Sequence, residues 1–156
     1  MTSKFKITES TVSGFRNWFV KYISSFQVSD TDMQQSFTLK KHHSLRVCKE
    51  IIHIANRIGL NREELLLAET CALFHDIGRF EQYFRYRTFV DGKSENHADL
   101  AVKVLRENMA LDVLDKTPRD IIIKAILYHN RLTIPAGEDE TVTLFSRLLR
   151  DADKLD

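Results

Sequence analysis

The sequence predicts an all-α fold, a single helical-bundle domain over residues 1–156. Apolar residues recur at three- and four-residue steps along most of the chain. Only five glycines and two prolines punctuate it. The hydrophobic fraction of 43% and charged fraction of 29% are those of a soluble globular chain, and the length suits one proper hydrophobic core.

The elements follow in order. "TVSGFRNWFVKYISSF" (11–26) reads as a first amphipathic helix, with Phe15, Phe19, Ile23 and Phe26 on one stripe that packs on the rest. "DTDMQQSFTLKKHHSLRVCKEIIHIANRIG" (30–59) opens on cap-like residues and closes on Gly59, which suits the left-handed residue after a helix. Its core stripe steps through His43, Val47, Ile51, Ile54 and Ile58. A third helix opens with "NREE", a capping box of Asn61 and Glu64, and stops near Gly78. "RFEQYFRYRTFVDGKSEN" has no clean period and reads as an irregular loop at a site, with at most a short helical turn. Ser94 is expected to cap the helix "ENHADLAVKVLRENMA". Thr117, Pro118 and Asp120 start another, since proline fits the first helical position, and it carries "IIIKAILYHN". "RLTIPAGEDE" is a loop into the last helix, "TVTLFSRLLRDADKLD".

Several function classes are set aside by composition. A formal net charge of +1 gives no global field for duplex nucleic acid or a membrane surface. "MTSKFKITES" has no apolar core of a signal peptide, and no apolar run approaches a membrane span. Cys48 and Cys71 form no CxxC and read as reduced, packing thiols of a cytoplasmic protein. Thiolate metal sites are therefore not expected.

The polar residues on apolar faces carry the chemistry. Of six histidines, His42 groups with Arg46 and Lys49, and His53 with Lys49 and Arg57, so both should be solvated. His43 lies on the apolar stripe. His129 follows Ile122 by seven residues and Ile126 by three, so it also points inward. His97 sits in the first turn of its helix, where the macrodipole disfavours an imidazolium but tolerates a neutral ligand. His75 stands beside Asp76 in "CALFHDIGRF", a pair costly to bury without partners. A lone histidine on an apolar face is ordinarily a satisfied core residue. Four of them on four helices, one with an adjacent aspartate, are instead the donor types that divalent transition metals accept, and helical bundles build such sites from facing helices. The last helix offers "RDADKLD", where both Asp151 and Asp153 continue apolar stripes and periodicity does not choose between them.

The stretches "HSLRV" (43–47), "HDIGRF" (75–80) and "DADKLD" (151–156) together resemble the HD-domain metal-dependent phosphohydrolases. The resemblance covers about residue 40 to the end; residues 1 to about 35 have no part in it. It implies a helical HD domain with His43, His75, Asp76 and Asp153 as ligands of one ion, and its "ADKL" context favours Asp153 over Asp151. "SENHADLAV" and "ILYHNR" resemble the binuclear branch, H…HD…H…H…D, which implies that His97 and His129 bind a second ion and that Asp76 bridges the two. "GRFEQYFRYRTFVDGKSENH" is similar to a group of small bacterial HD hydrolases.

What the resemblance implies for chemistry is hydrolysis of a phosphate ester, a nucleotide or small phosphoester, by a metal-activated hydroxide. Two divalent ions roughly 3.5–4 Å apart lower the pKa of a shared water and clamp phosphoryl oxygens. The implied cofactor is one or two ions of Mn, Fe, Ni, Co, Zn or Mg. Arg79, one turn past the His-Asp pair, would neutralise phosphoryl charge. Lys93 and Arg131 are further substrate-binding candidates, with Arg85 and Arg87 weaker ones. Phe80, Tyr83, Phe84, Tyr86 and Phe89 would wall the pocket, and Asp91 would accept from a ligand histidine. Two other functions fit the same ligand set. One is a di-iron oxygenase, as in myo-inositol oxygenase and certain organophosphonate oxygenases; the other is an inactive metal- or nucleotide-binding regulatory module. The expected partner is a phosphorylated small molecule or nucleotide, with a homo-oligomer open and no membrane. Because Asp156 follows Asp153 by three residues and terminal turns fray, the chain is expected to continue past Asp156.

Overall fold

A computed structural model describes residues 3–26 and 28–156; Met1, Thr2 and Gln27 lie outside the described residues. The described chain is all-helical: α1 (Glu9–Ser24), α2 (Thr31–Arg57), α3 (Arg62–Phe74), α4 (Gly78–Tyr86), α5 (His97–Glu107), α6 (Lys116–Tyr128) and α7 (Glu140–Leu155), with one 3-10 turn at Asp91–Lys93. None of these helices is long and apolar enough to cross a membrane.

The bundle is organised round α3. Every residue from Leu65 to Phe74 is buried, so this helix has no solvent face, as a central helix should. It packs against α1, α2, α6 and α7. Its charged exception, Glu69, is paired with Arg16 of α1, whose Nε lies 3.0 Å from Oε1. Burying a carboxylate without such a partner would be strongly unfavourable. The capping box foreseen at Asn61 and Glu64 is present. Gly59 has φ +84° and closes α2 in the left-handed region. Phe15 and Phe19 of α1 are buried, and Ile23 and Phe26 pack on the core from its edge. Cys48 and Cys71 are free and buried.

Four expectations are corrected. "RFEQYFRY" is no loop: it forms most of α4, beginning at Gly78, the residue expected to stop the preceding helix. A Cβ on Gly78 would lie 2.5 Å from the His97 carbonyl oxygen and 2.6 Å from the Ala101 nitrogen. The glycine is therefore needed for the backbone of α4 to touch α5. The helical period was hidden because a nine-residue helix completes few turns and carries aromatic residues on several faces. Second, Ser94 does not cap α5. The Asn96 side chain does, accepting from Ala98 and Asp99 nitrogens, while Ser94 Oγ bonds the Val90 carbonyl. Third, Pro118 is the third residue of α6, not its first, still within the turn whose N–H groups have no helical partner. Fourth, Ile58 leaves the buried stripe and is 53% exposed, because the helix ends there; the buried face runs through Ser44, Val47, Cys48, Ile51 and Ala55.

Candidate metal centre

The inward histidines converge from four elements. His43 comes from the middle of α2, His75 is the C-cap of α3 with Asp76 next to it, His97 is the first residue of α5, and His129 is the C-cap of α6. Asp153 reaches in from the last turns of α7, whereas Asp151 is exposed. His42 and His53 are exposed, as helix phase indicates.

One local device recurs at two helix ends. His75 Nδ1 lies 2.6 Å from the Ala72 carbonyl, and His129 Nδ1 lies 2.6 Å from the Ile126 carbonyl, each three residues back. A carbonyl oxygen only accepts, so Nδ1 carries the proton and donates. At Ala72 the bond occupies a carbonyl that the helix end leaves without a partner, while the Ile126 carbonyl also accepts from the His129 backbone N–H at 3.3 Å. In both cases the bond turns the Nε2 lone pair to the centre. The other two histidines use carboxylates for the same purpose. His97 Nδ1 lies 2.8 Å from Asp91 Oδ2, and His43 Nδ1 lies 2.6 Å from Asp156 Oδ2. Asp156 is itself held by Arg46.

The four Nε2 atoms and two carboxylates then form two adjoining groups. His43 and His75 Nε2 are 3.3 Å apart, and Asp153 Oδ1 lies 2.9 Å from the first and 3.4 Å from the second. His97 and His129 Nε2 are 3.0 Å apart. Asp76 stands between the groups with its oxygens divided. Oδ2 lies 3.6 Å from His43 Nε2 and 3.7 Å from His75 Nε2. Oδ1 lies 3.5 Å from His97 Nε2 and 3.7 Å from His129 Nε2. Metal–ligand bonds of about 2.1 Å place neighbouring ligand atoms about 3.0–3.4 Å apart, close to these separations. Lone pair facing lone pair at such distances is repulsive without a cation between them, so the donor set fits divalent ions. His43–His75–Asp76 and Asp76–His97–His129 could each hold one, and a third overlapping group, His75–His129–Asp153, makes the two contiguous.

Charge and burial shape the titration of these groups. Burial alone would raise the Asp76 pKa, but His75, His129 and Lys40 hold it well below the usual carboxylate range. Burial opposes ionisation of Asp153 too, and His43 and His75 outweigh it. Asp153, against burial, raises His43. Burial would lower His75, yet Asp76 and Asp153 raise it. His97 differs: desolvation dominates and its pKa falls to about 4, leaving a neutral imidazole.

The remaining candidates separate clearly. Arg79 is 15% exposed in its side chain and is no free surface residue. Its Nη1 donates to Gln82 Oε1, the Phe89 carbonyl and Asp91 Oδ1, and its Nε, 3.8 Å from Asp76 Oδ1, is buried with no hydrogen-bond partner. Lys93 and Arg131 are exposed and no described hydrogen bond or ion pair joins them to the cluster; Arg131 lies over the Tyr128 ring. Arg85 pairs with Glu81 and Arg87 with Asp30. Of the aromatic set, Phe80 is core, stacked edge-on to Phe19 and Phe37, while Phe84 and Tyr86 are exposed. Tyr83 packs on Phe89, and Phe89 faces Lys40 and Arg79.

Three participants escape sequence reasoning. Gln82, fully buried, donates to Asp91, Ser94 and the Glu95 carbonyl and accepts from Arg79, so it ties the loop before α5 to α4. Lys40 approaches Asp76 to 3.5 Å. Asp156 orients His43. Lys40 had a detectable signal, since it precedes His43 by one turn on the same helix face; Gln82 had none without knowing that α4 is a helix.

A family model described as HD domain matches residues 41–156, about three quarters of the chain, and that span contains all six converging side chains. No curated protein and no solved structure matches the chain.

Proposed function

The chain belongs to the HD-domain family of metal-dependent phosphohydrolases, and from that premise we propose that it hydrolyses a phosphate ester at a centre that would hold two divalent ions, with Asp76 a ligand common to both. The observation that carries the reading is the division of the Asp76 oxygens between two histidine pairs. His43, His75 and Asp153 would hold one ion, and His97 and His129 the other. Such ions, when bound, lower the pKa of water and clamp phosphoryl oxygens.

The chain's own part is positioning. Nδ1 of each histidine is fixed by an oxygen acceptor, which sets the tautomer and leaves Nε2 to ligate. Burial of His75, Asp76, His97 and His129 excludes bulk water, which strengthens every charge interaction with an anionic substrate. Arg79 would complement phosphoryl charge while holding Asp91 and the Phe89 backbone in place. The substrate class is a nucleotide or small phosphoester.

The test loads metal-stripped protein with Mn, Fe, Co, Ni, Zn or Mg in turn and assays phosphate release from a phosphoester panel. Turnover with at least one ion, abolished in Asp76→Ala, supports the reading. Oxygen uptake by the Fe-loaded protein with no phosphate release from any ester would overturn it.

A further inference from the structure

We infer that Lys40 is a second phosphoryl-recognition residue, that it works as a pair with Arg79, and that the pair suits the dianion of a phosphate monoester better than the monoanion of a diester. The inference rests on the proposed phosphohydrolase reading and specifies its substrate end.

Lys40 is on α2, three residues before His43, with its side chain 19% exposed. Its ammonium lies 3.5 Å from Asp76 Oδ2, at the limit of a hydrogen bond, and 5.1 Å from the centroid of the Phe89 ring. Arg79 approaches the same carboxylate from its other oxygen, with Nε 3.8 Å from Oδ1, and lies over the same ring, its guanidinium carbon 5.7 Å from the centroid. One aromatic ring thus lies against two cations, both close to the carboxylate between the histidine pairs. Arg79 Nη1 also donates to the Phe89 carbonyl at 2.7 Å, which ties the ring's loop to the same guanidinium.

The carboxylate does not satisfy these cations. Its oxygens are the ones that would ligate the ions, each turned to two imidazole nitrogens within 3.7 Å. An ammonium has three N–H donors, and among the described residues Lys40 has only the one long contact. Arg79 Nε is buried with no acceptor at all. Donors held out of water without acceptors are costly. Arg79 Nε is such a donor, and Lys40, partly exposed on the other side of the same carboxylate, has N–H donors beyond its one long contact; together they are complementary to an anion that binds beside the cluster. A tetrahedral phosphoryl group offers several oxygens, so Lys40 and Arg79 can each take one.

Charge selects the ionic form. Two divalent ions against Asp76 and Asp153 leave about two positive charges, Lys40 adds another, and Asp91 offsets Arg79. A terminal phosphate dianion matches that excess better than a singly charged diester. The competing explanation is that Lys40 merely offsets the buried carboxylates. In that case its removal would disturb metal binding and not anion selectivity.

The experiment uses the full chain loaded with metal. Calorimetry titrates it with inorganic phosphate at pH 8, as a dianion probe, and with dimethyl phosphate, as a diester probe; metal affinity and content are measured in parallel. Lys40→Met is expected to weaken phosphate binding about ten- to hundred-fold, to weaken dimethyl phosphate less, and to keep the metal affinity and ion count of the unaltered protein. Lys40→Arg should retain most phosphate affinity and guards against a folding defect in the Met variant. Unchanged phosphate binding in Lys40→Met would overturn the role of Lys40, as would a loss of metal affinity in the same proportion. Equal loss for both probes would overturn the dianion assignment. Turnover and phosphate binding by the unaltered protein decide the parent reading separately: if both are absent, that reading falls and this inference falls with it.

Discussion

The two halves of the proposed centre are built on different plans. The His43 half places Asp153 directly among its imidazoles and is open on one side, with side-chain exposures of 16% for His43 and 31% for Asp153 beside a fully buried His75. The His97 half has no carboxylate of its own beyond Asp76. Its imidazoles are buried, at 7% for His97 and 2% for His129, and its further aspartate, Asp91, stands behind His97 at Nδ1. The first half therefore attracts cations and protons by direct charge. The second depends on neutral, pre-oriented nitrogen donors and on the shared aspartate. Asp76 is the one side chain on which both plans depend.

That contrast can be broken in steps. The largest effect belongs to Asp76→Ala, which removes the proposed ligand common to both halves; metal analysis should find neither ion retained and assays should find no phosphate release. Next come the single-histidine variants. His43→Ala and His97→Ala should each retain one ion per chain, lost from opposite halves, and both should lose activity by orders of magnitude. A chain that loses both ions in either variant would show that the halves do not bind independently.

A smaller effect is expected from Asp91→Asn, which removes the charged acceptor behind His97 but no ligand. Orienting partners of this kind are worth about 10- to 100-fold in metal affinity, and the loss should fall on the ion of the His97 half, read by competition with a chelator. The smallest effect is a difference in pH response. His43 and His75 are raised by their carboxylates, so protons compete with metal there at a higher pH. His97 is lowered to about 4 and stays neutral well below the ordinary histidine range. Metal affinity of the His97→Ala chain, which keeps the first half, should thus fall on acidification from pH 8 to 6 more steeply than that of His43→Ala. Equal slopes would remove the electrostatic distinction between the halves.

Much of this was readable from residue order, and for physical reasons. Long helices repeat their period often enough to reveal phase, so His43 and His129 could be placed inward and His42 and His53 outward without coordinates. Side-chain caps such as Asn61–Glu64 are local and leave a local signature. The chemistry of α4 was not legible. Its helix is short, its glycine serves a contact with α5 that only packing reveals, and Gln82 looks like any surface glutamine until Asp91, Ser94 and Glu95 are brought round it. Periodicity could not choose between Asp151 and Asp153 because both continue apolar stripes; the fold separates them by turning only Asp153 to the histidines. The cap of α5 was misplaced by two residues because serine and asparagine are nearly equal caps, and only the partner of the Ser94 hydroxyl decides between them.

The most direct test of the central claim is the number of ions per chain. Element-resolved analysis of the unaltered protein, saturated with the ion that best supports turnover and freed of excess, should find two per chain, and the same analysis of His97→Ala should find one. Saturation of the unaltered protein at a single ion per chain would contradict the bridging role given to Asp76.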